Sequence, residues 1–316
     1  MTINRFAYAM VSETTSSSTE VGSSEYDGLI DGSAPAESFN GATEAILEQS
    51  GIDHGVSVFL TAELPPHTGI GAGTASTIAL IWALARMRGK PITATEAGRV
   101  AALIEAERLG LPFGVSDAYA QAVGGLTFVD IQESKVCASP IAISADLSLA
   151  LQARLMLFYT GRTNRDTLGV GEVRKAAERN RAGVIEALHE IRSVAIELRD
   201  RLEGGEIDQV GPCLDRTWKA TRRMGPAMSD PWVDQWYAMA LNAGATGGKL
   251  NGLGYPGFLL LYCEPDRQAT VTESLNSAGL RRIGFQFEPT GASVLLDDSK
   301  AGTKSLERIS TGNSRN

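Results

Sequence analysis

Groups that usually announce a metal or disulfide framework are scarce in this sequence. It holds three cysteines and three histidines in 316 residues. Cys137, Cys213 and Cys263 stand far apart, with no second cysteine or histidine at ligand spacing. That excludes a zinc-ribbon pattern and a dense disulfide scaffold, and it fits a reducing compartment. His54, His67 and His189 are equally dispersed, so a histidine-built metal cluster is not expected. An excess of positive charge is missing too. The formal net charge is -8, which gives no electrostatic attraction for a phosphate backbone, and nucleic acid is not an expected partner. No apolar run reaches the roughly 20 residues of a transmembrane helix. The segment Met1 to Phe6 has no basic stretch ahead of an apolar one, so the expectation is no membrane partner, no export signal and a cytoplasmic location.

What is present is enough apolar residue, 43%, to bury a sizeable core, and the length favours two domains, placed at 1–145 and 146–316. Alternation predicts strands over 6–11, 56–62 and 126–131, and apolar runs predict strands over 151–160 and 258–263, with a last strand over 284–288. Helical spacing predicts helices over 38–49, 74–87, 95–109 (capped by Thr95), 114–123, 170–203, 207–224, 232–243 and 267–278. The Ser/Thr/Glu-rich run Thr14 to Ser24 reads as a loop. Strand, helix and strand after several helices indicate an α+β second domain.

Between the second strand and a helix of small and aliphatic residues runs Pro65-Pro66-His67-Thr68-Gly69-Ile70-Gly71-Ala72-Gly73-Thr74-Ala75-Ser76. Backbone N–H groups at a helix start that follows such a glycine-rich turn can face an anion. No Gly-Lys-Ser/Thr follows, so this is not a Walker A loop, and the spacing is not that of dinucleotide folds. Two further segments are rich in chemistry. Ile104 to Tyr119 carries Glu105, Glu107 and Asp117 ahead of Gly124-Gly125-Leu126, and Gly244 to Phe258 carries Gly247, Gly248, Lys249, Gly252 and Gly254.

The first of these segments resembles the phosphate-binding motif of the GHMP kinases, Pro-x-x-x-Gly-Leu-Gly-Ser-Ser-Ala, with Pro65 or Pro66, Gly69, Ile70, Gly71 and Ala75 in matching places. The second resembles the stretch of these kinases that carries a magnesium-binding glutamate and a catalytic aspartate, and the third resembles their last glycine motif. Within the superfamily the resemblance runs nearest to the heptose-phosphate and related sugar kinases, through Asp117-Ala118-Tyr119-Ala120, Tyr159-Thr160-Gly161 before Arg165, and Gly247-Gly248-Lys249. It implies an α+β, two-domain fold, with an S5-like N-terminal and a ferredoxin-like C-terminal domain. It also implies ATP and Mg2+ as cofactors and a hydroxyl of a sugar or sugar phosphate as acceptor.

Carried over residue by residue, the resemblance puts the nucleotide against Pro66, Gly69, Ile70, Gly71, Ala72, Gly73, Thr74, Ala75, Gly252 and Gly254, with Asp117 as catalytic base. Glu105 matches the metal-binding glutamate and Glu107 competes with it. Two residues apart on a helix they face about 200° apart, so one of the two points into the cleft. The paired serines of the motif fall on Ala72 and Gly73, which makes Thr74 the nearest hydroxyl for the metal and Ser76 the next, or leaves the ion to Glu105, phosphate and water. Pro256 removes a backbone donor from the third motif. Family members open with a strand and a loop carrying a basic residue, and this sequence begins at what resembles the following strand, so that N-terminal strand is expected to be missing. A start assigned too late, a substitute cation at Arg162 or Arg165, or a binding or regulatory protein without turnover each fit that reading. An ATP-using decarboxylase of the same superfamily is a third class, and a homodimer is left open.

Overall fold

In a computed structural model, the chain is described over residues 1–15, 19–23, 36–52, 55–65, 68–107, 115–132, 135–161, 168–179, 181–252 and 257–297. The first sheet is built on β3 (Val56–Ala62), whose alternation buries Val56, Val58 and Leu60. On one side β1 (Ala7–Glu13) pairs antiparallel with Ala7 opposite Ala62, and on the other β2 (Glu20–Ser23) pairs parallel with Val21 opposite Val58. Four helices, α1 (Ala36–Ser50), α2 (Ala72–Met87), α3 (Ala94–Glu107) and α4 (Val115–Val123), join this sheet in one core containing Ile46, Ile78, Leu80, Leu84 and Ile104. Each such side chain contributes about 1.5–3 kcal/mol on burial. The small residues Ala97, Ala101 and Ala118 are fully buried, and they let α3 and α4 approach closely. Gly98 is part of that contact, since a Cβ there would press on the Tyr119 backbone. A hairpin follows, β4 (Thr127–Gln132) with β5 (Lys135–Pro140).

Beyond α5 (Ala145–Arg154) and β6 (Leu155–Tyr159), the helices α6 (Leu168–Glu178), α7 (Ala182–Glu203), α8 (Val210–Arg223) and α9 (Pro231–Ala243) precede β7 (Ala245–Leu250) and β8 (Phe258–Cys263). Then come α10 (Gln268–Ser277) and β9 (Arg281–Ile283). These strands form one sheet in the order β7-β8-β6-β9, antiparallel throughout. Numbered by chain order the strands run second, third, first, fourth, which is the ferredoxin-like arrangement. All six residues of β8 are buried, so this strand is covered on both faces. Trp218 of α8 and Trp236 and Tyr237 of α9 pack with Met156, Leu259 and Leu261 on one of them.

Several sequence expectations need correction. The apolar run from Leu151 does not start a strand: residues 151–154 finish α5, whose N-cap Ser144 accepts from the Leu147 N–H at 3.2 Å. Thr93, not Thr95, caps α3, accepting from the Glu96 N–H at 3.2 Å. Within the loop expected over 14–24, residues 20–23 form β2 because β3 offers its open edge. The glycine-rich 245–250 is a strand, and 284–288 is not. There the backbone is tied by an isolated bridge, Ile3 to Phe287, and by the Gln152 side chain, which accepts from the Phe287 N–H at 2.6 Å.

Candidate active site

The glycine loop ends at Gly71, which caps α2 with φ 80° and ψ 22°, a left-handed conformation that glycine adopts without strain. No side chain caps this helix and no acidic residue lies in its first turn. The N–H groups of Ala72, Gly73 and Thr74 are therefore left for an anion, with the helix dipole behind them. Gly69, also at positive φ (73°), lies against the third glycine segment. Gly252 would bring a Cβ to 2.9 Å from the Gly69 Cα, and a Cβ on Gly69 would overlap the Asn251 carbonyl. Glycine at both places lets the two loops meet backbone to backbone. Thr68 and Gly257 extend this contact, and Thr160 ties it to β6 by donating to the Gly257 carbonyl at 3.1 Å.

A cavity of about 1570 Å³ opens beside these loops, with Gly69, Ile70, Gly71, Ala72, Ala75, Asp117, Lys249 and Asn251 on its wall. Asp117 is in the first turn of α4. The surrounding protein strips it of solvation and raises its pKa, while the positive charges of Lys249 and of the Met1 amine pull it back down. Burial likewise lowers the Lys249 pKa, and Asp117 opposes that. The Asp117 surface is nonetheless open to the cavity, so water reaches the carboxylate from one side. Its solvation changes when something fills the cavity.

Glu105 sits on α3, only 6% exposed, whereas Glu107 is exposed. Burial raises the Glu105 pKa, a hydrogen bond from the Thr74 side chain lowers it, and the Asp117 charge raises it further. Three of the expected residues, Thr74, Glu105 and Asp117, thus converge beneath the start of α2. A buried carboxylate, Glu105, with a hydroxyl beside it and the cavity-facing carboxylate of Asp117 nearby, is an environment that a hard divalent cation relieves, so the donor set fits Mg2+. Among the described residues no group of three or more His, Cys, Asp or Glu could hold a metal. The ion would therefore depend on Glu105, Thr74, phosphate and water.

Gly73 is exposed, with open space where its Cβ would be. Pro66, Gly254, Arg162 and Arg165 lie outside the described residues. Two side chains in the site escaped the sequence reading. Lys249 lies in the third glycine motif, and a lone lysine after Gly247-Gly248 carries no spacing that marks a site. Gln121 belongs to no motif in the sequence, although it stands one helical turn beyond Asp117 on α4.

Residues 37–125 match the family model described as GHMP kinases N terminal domain. The chain is 26% identical over 236 residues to D-glycero-alpha-D-manno-heptose 7-phosphate kinase of Campylobacter jejuni, covering 74% of this chain and 69% of that one. It is 27% identical over 250 residues to mevalonate kinase of Pyrococcus horikoshii, covering 75% and 68%. Among solved structures, a D-glycero-D-manno-heptose 1-phosphate kinase from Bacteriodes thetaiotaomicron superposes with a TM-score of 0.70 at 22% identity, over 92% of this chain and 86% of that one. Lactococcus lactis galactokinase complexed with galactose gives 0.70 at 14% identity, over 93% and 88%. With its glycine loop leading into α2, the segment 37–125 is similar to the N-terminal domain of GHMP kinases, and the chain, with its ferredoxin-like second sheet, shares the fold of the sugar-phosphate kinase structure named above.

Proposed function

We propose that this protein is an ATP- and magnesium-dependent kinase that phosphorylates a hydroxyl of a sugar or sugar phosphate, working in the cleft between an N-terminal part (1–145) and a C-terminal part (146–316). The observation that carries the reading is that Asp117 and Lys249 both stand on the wall of the cavity that the glycine loop enters, where each feels the other's charge. Phosphoryl transfer asks the protein for positioning and charge neutralisation rather than covalent chemistry. Ala72, Gly73 and Thr74 N–H groups, aligned by α2, hold the phosphates. Glu105 and the Thr74 hydroxyl would hold Mg2+, which when bound would offset the phosphate charge.

Asp117 accepts the proton of the acceptor hydroxyl as its oxygen bonds the γ-phosphorus and the bond to the β-phosphate oxygen breaks. A carboxylate whose pKa is raised by its surroundings is a better base than one in water, provided it stays ionised, and Lys249 keeps it so. Lys249 also supplies a positive charge close to the reacting oxygens, the part expected from the sequence at Arg162 or Arg165. The relatives named as heptose-phosphate kinase and galactokinase support a sugar-type acceptor. The test is transfer of labelled γ-phosphate to a panel of sugars and sugar phosphates. Nucleotide binding with no transfer to any of them would favour the binding-protein reading instead.

A further inference from the structure

Gln121 has no part in the proposed reaction, yet it joins the two elements on which that reaction depends. It stands on α4 four residues after Asp117, on the same helix face. Its Nε2 donates to the Gly71 carbonyl at 3.1 Å, and the same carbonyl accepts from the Ala75 N–H at 2.9 Å. In a trans peptide the C=O and the following N–H point in opposite directions. Fixing the Gly71 carbonyl from two sides therefore fixes the Ala72 N–H, which points out of the start of α2 where an anion is held. The amide also fills the space left by Gly71: a Cβ there would overlap Nε2.

The other half of the amide is unpaired. Gln121 Oε1 is buried without a hydrogen-bond partner. Turning the amide over would set two oxygens against each other at Gly71, so the orientation is fixed by the carbonyl it serves. A side chain present only for packing would fill this place without stranding an acceptor, and a methionine of similar length would do so.

We infer that Gln121 is a positioning residue for the phosphate loop: it couples the helix that carries Asp117 to the Gly71–Ala72 peptide, and so sets where the phosphates stand relative to the base. The inference rests on the reading of the glycine loop as the nucleotide site. It gives Gln121→Met an unusual signature. Removing the buried unpaired oxygen should leave thermal stability equal or higher, while the loss of one loop-holding hydrogen bond weakens nucleotide binding about fivefold to tenfold. The KM for the acceptor should stay unchanged and kcat should fall.

The experiment compares the full-length wild type, Gln121→Met and Gln121→Glu by thermal melting, by titration with a fluorescent non-hydrolysable ATP analogue in the presence of Mg2+, and by steady-state kinetics. Gln121→Glu keeps the length of the side chain but turns an oxygen on the Gly71 carbonyl. It is expected to bind the analogue more weakly than Gln121→Met at neutral pH and to recover part of the loss in acid, where a protonated carboxyl can donate. A Gln121→Met protein with unchanged analogue affinity and kcat overturns the inference while leaving the kinase reading intact. A fall in melting temperature parallel to the loss of binding, or a raised acceptor KM, overturns it in favour of plain packing. Failure of the wild type to bind the analogue overturns both this inference and the reading of the loop.

Discussion

Replacing Lys249 by methionine tests the electrostatics of the site most sharply. Methionine keeps most of the side-chain volume on β7 and removes the charge. Asp117 then keeps its desolvation and loses the foremost of the charges that oppose it. A dry ion pair broken on one side costs about 3–5 kcal/mol. Here Asp117 and Lys249 act on each other's charge without a direct ion pair and the cavity wets the carboxylate, so solvent screening reduces the expected loss to about 1 kcal/mol or less at neutral pH. The sign follows from linkage. Asp117 in the variant has a folded-state pKa raised further above its unfolded value, so ionising it opposes folding. The destabilisation should be absent below the unfolded pKa and grow as pH rises through the folded one. Catalysis should fall about 10²- to 10³-fold, the usual loss for one electrostatic stabiliser of the transition state. The acid limb of the pH–rate profile should move to higher pH. The assays are thermal melts between pH 5 and 8 and kcat against pH, for the single variant and for Lys249→Met combined with Asp117→Asn. The double variant should recover stability but not activity. Additive effects of the two substitutions, or a single variant whose melting and pH profile match the wild type, would refute the coupling on which the account depends.

Other outcomes follow from the same geometry. In the wild type, the raised Asp117 pKa and the lowered Lys249 pKa predict a bell-shaped profile of kcat/KM whose acid limb lies above the ordinary carboxylate range and whose alkaline limb lies below that of a free lysine; a profile flat across both ranges would argue against these two groups. Glu105→Gln keeps the shape of a buried side chain held by Thr74, so the fold should persist while the Mg2+ concentration for half-maximal activity rises at least about tenfold; an unchanged metal titration would remove Glu105 from the ion. Gly71→Val combines a positive φ with overlap of the Gln121 amide. It should lose nucleotide binding, checked by titration on protein shown to be folded by circular dichroism. Gly252→Ala should push the two glycine loops apart and cost about 1–3 kcal/mol by denaturant unfolding.

The parts of this fold that were legible in the sequence are those whose pattern is local. β3 and β8 appear at their expected limits, 56–62 and 258–263, because one alternates cleanly and the other is apolar at every position. The helix after the glycine loop was equally plain from its small and aliphatic residues. The parts that were missed depend on partners far away in the chain. Glycines 247 and 248 belong to a motif to which the sequence assigns no strand, yet they are in β7 because β8 pairs with them, and Gly247 admits the α8 backbone so closely that a Cβ would overlap the Gly211 carbonyl. Glu20-Val21-Gly22-Ser23, at the end of a polar run, become β2 through the edge of β3. The strand expected over 284–288 failed for the converse reason. Its alternation is real, but β9 already occupies the sheet edge beside β6, and the following chain is taken up by single hydrogen bonds to the N-terminal segment.

The site divides in the same way. The glycine loop, Asp117 and Glu105 could be found by motif, and burial separates Glu105 from Glu107. The cation could not be found that way: Lys249 reaches the same cavity wall as Asp117 because β7 belongs to the third glycine segment, which lies against the first at Gly69 and Gly252, a placement that no local spacing records.

The central claim is phosphoryl transfer with Asp117 as base. The most direct measurement is transfer of labelled γ-phosphate from ATP to a panel of sugars and sugar phosphates by the wild type and by Asp117→Asn, with nucleotide affinity measured on the same preparations. The account predicts transfer to at least one acceptor, lost about 10²- to 10⁴-fold in Asp117→Asn with affinity for ATP within a few-fold of the wild type. Transfer that survives the substitution, or tight ATP binding with no transfer to any acceptor, would contradict it.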